Sequence, residues 1–333
     1  MTTLTRRTLL AAGTASTAAL AIGQAAAQTA STAGTAQPRL DGKRILITGS
    51  SSGFGYVGAL HYARLGAKVF ATMRNLPRPE ADELRAAAKT ENLDITVLEL
   101  DVLDEAQVAR AVTEAERLGG GALDVLVNNA GLGITGPVEV QDLEATRLAF
   151  DTNVFGAQRV LRAALPAMRK RKGGLVVNVS SQLGRVITPG AGHYCATKFA
   201  LEALSEQLAY ELVPHGVEVA IIQPGGYPTK VWVNRNRNNL ALKARIDPER
   251  AAAYGAMVAG MGTEDGSGRS ADPLDVPRAI AEIAAMPAGT RPLRRAVHPG
   301  NKPQEAINRV SAETQLAWLA NSPIGPWIRA VHD

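Results

Sequence analysis

From Lys43 onward the chain alternates short, apolar, β-branched runs with longer segments of helical periodicity. That alternation narrows the choice of fold sharply. Successive parallel strands can be joined only through crossover connections, and strands apolar on both faces must be covered on both. The runs fall at 44–48, 68–72, 95–100, 125–128, 175–179 and 217–222, and helices are expected at 54–65, 79–89, 104–118, 141–170 and 193–213. No repeat or second core interrupts them, so the pattern predicts a single α/β, doubly wound, parallel-sheet domain over 41–300. After Ile222 the pattern breaks. Residues 224–250 are rich in Gly, Pro, Asn and Arg and include Trp232, which suits a mobile segment over a site, with 226–250 as a substrate loop. A short further strand is expected near 294–297. Residues 301–333 carry Trp318 and Trp327 and read as a C-terminal helical extension or a contact in a homo-oligomer.

With 333 residues, 46% hydrophobic and 20% charged, the composition suits one globular domain with additions. A net charge of +5 and a pI near 9.4 raise the question of an acidic partner. The one dense basic run, Arg169-Lys170-Arg171-Lys172, sits where a helix should end before Gly173-Gly174, and cations there complement the helix dipole. No nucleic-acid partner is therefore expected, and no metal. The single cysteine, Cys195, rules out an intrachain disulfide and reads as a small packed helix residue.

Residues 1–40 contain no acidic residue and are dominated by Ala, Thr, Ser and Gly. Arg6-Arg7 precede a mildly apolar run to Ile22, and Ala25-Ala26-Ala27 offers an A-x-A cleavage site. Residues 1–27 thus resemble a twin-arginine export signal, with 28–40 as a linker, implying the export machinery as a partner and a periplasmic or secreted protein. The alternatives are an ordinary secretory signal, a transit peptide, or a cytoplasmic protein if no signal is present. Gly13, Thr14, Ser16 and Thr17 interrupt the run too often for a stable membrane span.

The chemistry-bearing residues begin where the first expected strand ends. Thr48-Gly49-Ser50-Ser51-Ser52-Gly53-Phe54-Gly55 is a glycine turn leading into a helix. Such a turn lets the backbone approach a pyrophosphate while helix amides stabilise its charge. Farther on, Tyr194 and Lys198 are four apart at the start of a strongly helical stretch, which places them on one face. A free phenol is only about 0.1% ionised at pH 7, and lowering its pKa by about 3 units requires about 4 kcal/mol. A cation at about 4 Å in an effective dielectric near 20 supplies about that much. His193 matches no such role and reads as a helix-start or surface histidine.

The spacing Thr-Gly-x-x-x-Gly-x-Gly resembles that of the short-chain dehydrogenase/reductases. The similarity extends over about 42–229: Asn128-Asn129-Ala130-Gly131 follows the fourth strand, and Asn153 falls in the helix after it. Ser181 precedes Tyr194 by 13 residues, and Pro224-Gly225 with Thr229 completes Pro-Gly-x-x-x-Thr. The resemblance implies a Rossmann-type domain and a hydride transfer between a nicotinamide cofactor and an alcohol or carbonyl substrate. It also implies roles. Tyr194 would exchange the proton, Lys198 would lower the phenol's pKa and hold the ribose, Ser181 would hydrogen-bond the substrate oxygen, and Asn153 would hold a water linking Lys198 to solvent. Gly49, Ser51, Ser52, Gly53, Phe54 and Gly55 would form the cradle for the cofactor's pyrophosphate, and Pro224, Gly225 and Thr229 would also bind the cofactor. Asp101 and Val102 would meet the adenine, and Asn129, Ala130 and Gly131 the adenine ribose side.

The second strand ends at Met73-Arg74 with no acidic residue for a ribose 2′-hydroxyl, and Arg74 stands where NADP-preferring relatives keep a basic residue. NADP is therefore the expected cofactor, with NAD possible because Ser52 is neutral. Around Tyr194 and Pro224-Gly225-Gly226 the chain resembles steroid and retinol dehydrogenases. The segments 132–137, 183–192 and 226–250 would line a moderately hydrophobic pocket for a small carbonyl or alcohol substrate. The alternative reading is a noncatalytic NADP-binding sensor or scaffold on the same fold, for which an intact Ser-Tyr-Lys-Asn set has no evident use.

Overall fold

The computed structural model describes residues 38–332, so the export-signal reading lies outside the described residues, as does most of the linker. Of that linker's end, Leu40 is fully buried and its amide donates to Leu65 O at 2.8 Å, so the folded unit already includes it.

Seven parallel strands form one sheet: β1 (Arg44–Ile47), β2 (Lys68–Met73), β3 (Ile95–Glu99), β4 (Val125–Asn128), β5 (Gly174–Val179), β6 (Val217–Pro224) and β7 (Arg294–Val297). Their order is β3-β2-β1-β4-β5-β6-β7. Alternation along each strand feeds two cores. Ile45 and Ile47 of β1, with Val69 and Ala71 of β2, pack against α1 (Gly53–Arg64), α2 (Pro79–Thr90) and α10 (Asp275–Ala285). Leu46 and Phe70 point the other way, onto α3 (Glu105–Gly119), α5 (Gly156–Arg171) and α6 (Gly192–Leu212). Both faces are apolar because both are covered.

The helix expected over 141–170 is divided into three. It starts as α4 (Leu143–Phe150), capped by Asp142 Oδ1 accepting from Ala145 N at 2.7 Å, and continues as a π-helical turn at Asp151–Phe155 before α5. Such a turn widens the backbone helix locally and tends to mark functional sites. The charged run at its end behaves as a helix terminus. Arg171 donates to the carbonyls of Ala122 and Leu123 and to Asp124 Oδ1, bolting α5 to the foot of β4.

The segment expected as a substrate loop, 226–250, is largely helical: α7 (Val231–Lys243) and the start of α8 (Pro248–Ala253), followed by α9 (Gly255–Ala259). Asparagine-rich sequence has weak helix propensity, and tertiary contacts overrule it here. Asn239 accepts from Thr135 N at 2.9 Å and donates to Thr135 Oγ1 at 2.8 Å, while Leu242 joins Ile134, Val140, Ala145, Val258 and Met261 in a third small core. α7 is thereby clamped over the loop that follows β4.

The C-terminal residues form α11 (Gln304–Leu319) and α12 (Gly325–His332). Gln304 is fully buried and donates to Gln223 O at 3.2 Å, and the His332 ring lies 2.6 Å from Tyr210 Oη on α6. No helix among the described residues is long and apolar enough to cross a membrane.

Candidate active site

Strand order reverses between β1 and β4, and a cavity of about 380 Å³ opens at the carboxyl ends of these strands. One end of it is the glycine turn. Gly49 has φ +73°, and a Cβ there would stand 2.9 Å from Ala130 Cα; a Cβ on Gly55 would stand 2.2 Å from the Gly49 carbonyl oxygen. The turn can close only without those side chains. Ser51, Ser52, Gly53 and Phe54 line the cavity at the start of α1, whose N-cap Ser52 makes no side-chain cap, so the first-turn amides remain available to an anion. A Cβ on Gly53 would meet Thr229 at 3.4 Å, which brings the Pro224-Gly225-x-x-x-Thr229 segment against the same turn. Arg74, Asp101, Val102, Asn129, Ala130 and Gly131 complete this half of the cavity. Arg74 is exposed at the rim and forms no ion pair among the described residues, whereas Arg78 is held by Glu80 at 2.9 Å. These residues fit a dinucleotide.

Asn129 lines the cavity, but its side chain works inside the turn: Nδ2 donates to Thr48 O at 2.8 Å and to Gly49 O at 3.2 Å. Thr48 answers through Oγ1, which accepts from the amides of Asn129 and Ala130 at 3.0 Å each. Thr48 is thus a functional residue that sequence reasoning quoted only as the first letter of a motif.

The other end carries Ser181, Tyr194 and Lys198. Lys198 is buried on α6, and its Nζ donates to Val179 O, at the end of β5, at 3.0 Å. Burial pushes its ammonium down to about 8, against the pull of Glu202 one turn later. Tyr194 is half-buried, with Lys198 Nζ 5.9 Å from its ring centroid. The low phenol pKa expected from a lysine at about 4 Å is not what the structure gives. Burial raises the Tyr194 phenol, and the Ser181 hydroxyl and the Arg235 charge pull it down only in part. Ser181 caps the short turn Gln182–Gly184, its Oγ accepting from Leu183 N at 3.1 Å.

Asn153 sits in the π-helical turn, behind the cavity wall. Its Nδ2 donates to Leu132 O at 2.9 Å and Thr197 Oγ1 at 3.0 Å, and its Oδ1 accepts from Leu132 N at 2.8 Å. Both side-chain protons are committed, so this amide ties the loop after β4 to α6. A Cβ on Gly131 would stand 3.2 Å from Asn153 Oδ1 and 3.8 Å from Lys198 Nζ, so these three positions meet at the floor. His193 is half-buried and pairs through Nδ1 with Gln141 Oε1 at 2.8 Å; Cys195 is buried.

The pocket segments expected from sequence contribute Leu132, Gly133 and Thr135, then Leu183 and Ala191, then Val231, Trp232, Asn234 and Arg235. Arg235 is the residue sequence reasoning passed over. It lay in a segment read for its flexibility, and only the helix reveals where it stands.

A family model described as short chain dehydrogenase matches residues 43–240. The uncharacterized oxidoreductase YusZ of Bacillus subtilis is 37% identical over 246 residues, covering 73% of this chain and 84% of that protein. Mouse 17-beta-hydroxysteroid dehydrogenase type 1 is 41% identical over 202 residues, 58% of this chain and 56% of that enzyme. The match thus spans little more than half the mouse enzyme. Among solved structures, a short chain dehydrogenase/reductase from Burkholderia phymatum in complex with NAD shares the fold at TM-score 0.67 and 24% identity, covering 85% of this chain and 96% of that one. A gluconate 5-dehydrogenase from Burkholderia cenocepacia in complex with NADP and tartrate superposes at TM-score 0.55 with 30% identity, over 62% of this chain and 81% of that one.

Fold and site together define a nicotinamide-dependent oxidoreductase acting on CH–OH or C=O groups. The chain belongs to the short-chain dehydrogenase/reductase family, and within it resembles the steroid and retinol dehydrogenases.

Proposed function

We propose that the protein is an alcohol dehydrogenase or carbonyl reductase that moves a hydride between NADP(H) and a secondary alcohol or ketone, aldehydes included, with Tyr194 exchanging the proton. One observation carries this reading: Ser181, Tyr194 and Lys198 line the same cavity as the glycine cradle and Arg74. The nicotinamide, when bound, supplies or accepts the hydride. Burial keeps the Tyr194 phenol protonated, as the donor to a substrate carbonyl oxygen must be. The Ser181 hydroxyl beside it hydrogen-bonds that oxygen as charge develops. Lys198, buried and cationic below about pH 8, stabilises the phenolate left after the proton moves. Asn153 acts as a brace, holding Leu132 and Thr197 so that the floor under the site keeps its shape.

The NADP preference rests on Arg74, an exposed guanidinium without an ion pair among the described residues, at the adenosine end of the cavity. The apolar side chains of Leu132, Leu183 and Val231 support a substrate with a hydrocarbon body.

Tyr194→Phe tests the assignment, because it removes the transferable proton and little else. Turnover is expected to fall about a thousandfold. Dinucleotide affinity, measured by fluorescence titration, should stay unchanged. Activity retained within tenfold of wild type would sink the proton-transfer role.

A further inference from the structure

Arg235 is a cation in the substrate half of the cavity that forms no ion pair among the described residues. Arg235, on α7, lines the cavity with Tyr194, and its side chain crosses the loop after β4: a Cβ on Gly133 would stand 3.1 Å from its Cγ and 3.2 Å from its Cδ. Trp232, one turn earlier on the same helix, holds the head group from the side, with Arg235 Cζ 4.4 Å from the ring centroid. The indole is itself fixed, its Nε1 donating to Tyr227 O at 2.6 Å.

Among the described residues no carboxylate lies within ion-pair distance of Arg235, and its Nε is sealed from solvent with no hydrogen-bond partner. The neighbouring acid is taken: Glu264 pairs with Arg269 at 2.8 Å, and Arg269 also lies over Trp232, 3.8 Å from the centroid. A half-buried, unpaired charge is costly, and burial depresses the Arg235 pKa accordingly. An anion entering the site would relieve that cost. A planar fork of N–H donors matches a carboxylate.

We propose that Arg235 binds the carboxylate of an oxo acid or hydroxy acid whose carbonyl or carbinol carbon is presented to Tyr194. This rests on the oxidoreductase reading above and names its substrate class. The apolar side chains of Leu132, Leu183 and Val231 then take the carbon chain between the two polar ends. In reduction the carbonyl carbon gains a hydride from the reduced nicotinamide and its oxygen gains the Tyr194 proton; oxidation reverses both transfers. The carboxylate is a handle and takes no part in the bond changes.

The test uses the full chain with a series of oxo acids of increasing length, each paired with its methyl ester. The acid is expected to exceed its ester in kcat/KM by at least 100-fold at the best length. Arg235→Met should collapse that ratio at least 50-fold through the KM of the acid, and Arg235→Lys should recover part of it. Calorimetric titration of the same acids into the dinucleotide-loaded protein reads the contact without catalysis, and Arg235→Met should weaken that binding at least 50-fold. Esters used as well as acids would overturn the proposal and leave the oxidoreductase reading standing. Acid binding that depends on Arg235 without any turnover would do the reverse. A rise in dinucleotide KM matching the rise for the acid would place the guanidinium on the cofactor's phosphates and overturn the carboxylate assignment.

Discussion

The ammonium of Lys198 lies 5.9 Å from the centroid of the Tyr194 ring, while its own hydrogen bond goes to the Val179 carbonyl at 3.0 Å. One turn of α6 sets the first relationship, and the end of β5 sets the second. The lysine is thereby anchored to the sheet and buried, and both groups shift toward their neutral forms: Lys198 down to about 8, Tyr194 upward. The site without a bound substrate therefore holds a protonated phenol beside a cation that titrates close to neutrality.

Lys198 is charged below about pH 8, so the rate of carbonyl reduction should fall as pH rises through that value. Lys198→Met should lose about 100-fold or more in kcat/KM and show no inflection there. Because the folded-state value lies below the ordinary 10.5, the folded protein sheds this proton first, and the lysine's contribution to stability improves between about pH 8 and 10.5. A pH–rate profile unchanged in the variant would remove Lys198 from the proton chemistry.

Arg74→Asp is expected to move cofactor preference from NADP toward NAD by about tenfold or more. A carboxylate repels a 2′-phosphate and accepts from a ribose hydroxyl. The measurement is the ratio of kcat/KM for the two dinucleotides, and a ratio that does not move would show the phosphate is held elsewhere.

Arg294→Met should strip the counterion from two buried carboxylates. Arg294 donates to Glu202 Oε2 at 2.8 Å and to Glu206 Oε2 at 2.6 Å, where side-chain exposures are 6%, 2% and 11% respectively. Removing the arginine from such a buried cluster costs about 3–5 kcal/mol, a fall in Tm of about 10 °C at pH 7. In wild type, burial works against the Glu206 carboxylate, but His332, Arg294 and Tyr210 hold its pKa well below the usual range, so its stabilisation is present above about pH 4.5 and lost as pH falls further. Thermal unfolding at pH 7 measures the loss, and a Tm within about 2 °C of wild type would show that Tyr210, His332 and Gln223 satisfy the two carboxylates without Arg294.

Residues 1–27 are proposed to direct twin-arginine export, which carries folded chains and so permits the dinucleotide to be bound beforehand. Changing Arg6 and Arg7 to Lys should retain the chain in the cytoplasm, as judged by cell fractionation. Wild-type chain found uncleaved in the cytoplasm alone would defeat this reading.

Periodicity and local chemistry were enough for the strands, because β-branched runs buried on both faces look alike wherever they occur, and for the glycine turn, because only glycine admits Gly49 beside Ala130. Tyr194 and Lys198 were legible for the same reason: their spacing is a property of one helix. Residues 224–250 were not, since weak helix propensity in α7 is overruled by Asn239 bonding Thr135 and by Leu242 packing among Ile134 and Val140, all about a hundred positions away. The bracing of Leu132 by Asn153 was likewise not legible, because it joins positions 21 apart through a loop. The amino-acid sequence by itself determined the sheet, the glycine turn and the pairing of Tyr194 with Lys198 on one helix, all written in short-range patterns. Only the tertiary structure decided the sign of the Tyr194 shift and brought Arg235 into the cavity, because burial and cross-chain proximity exist only once the chain has packed.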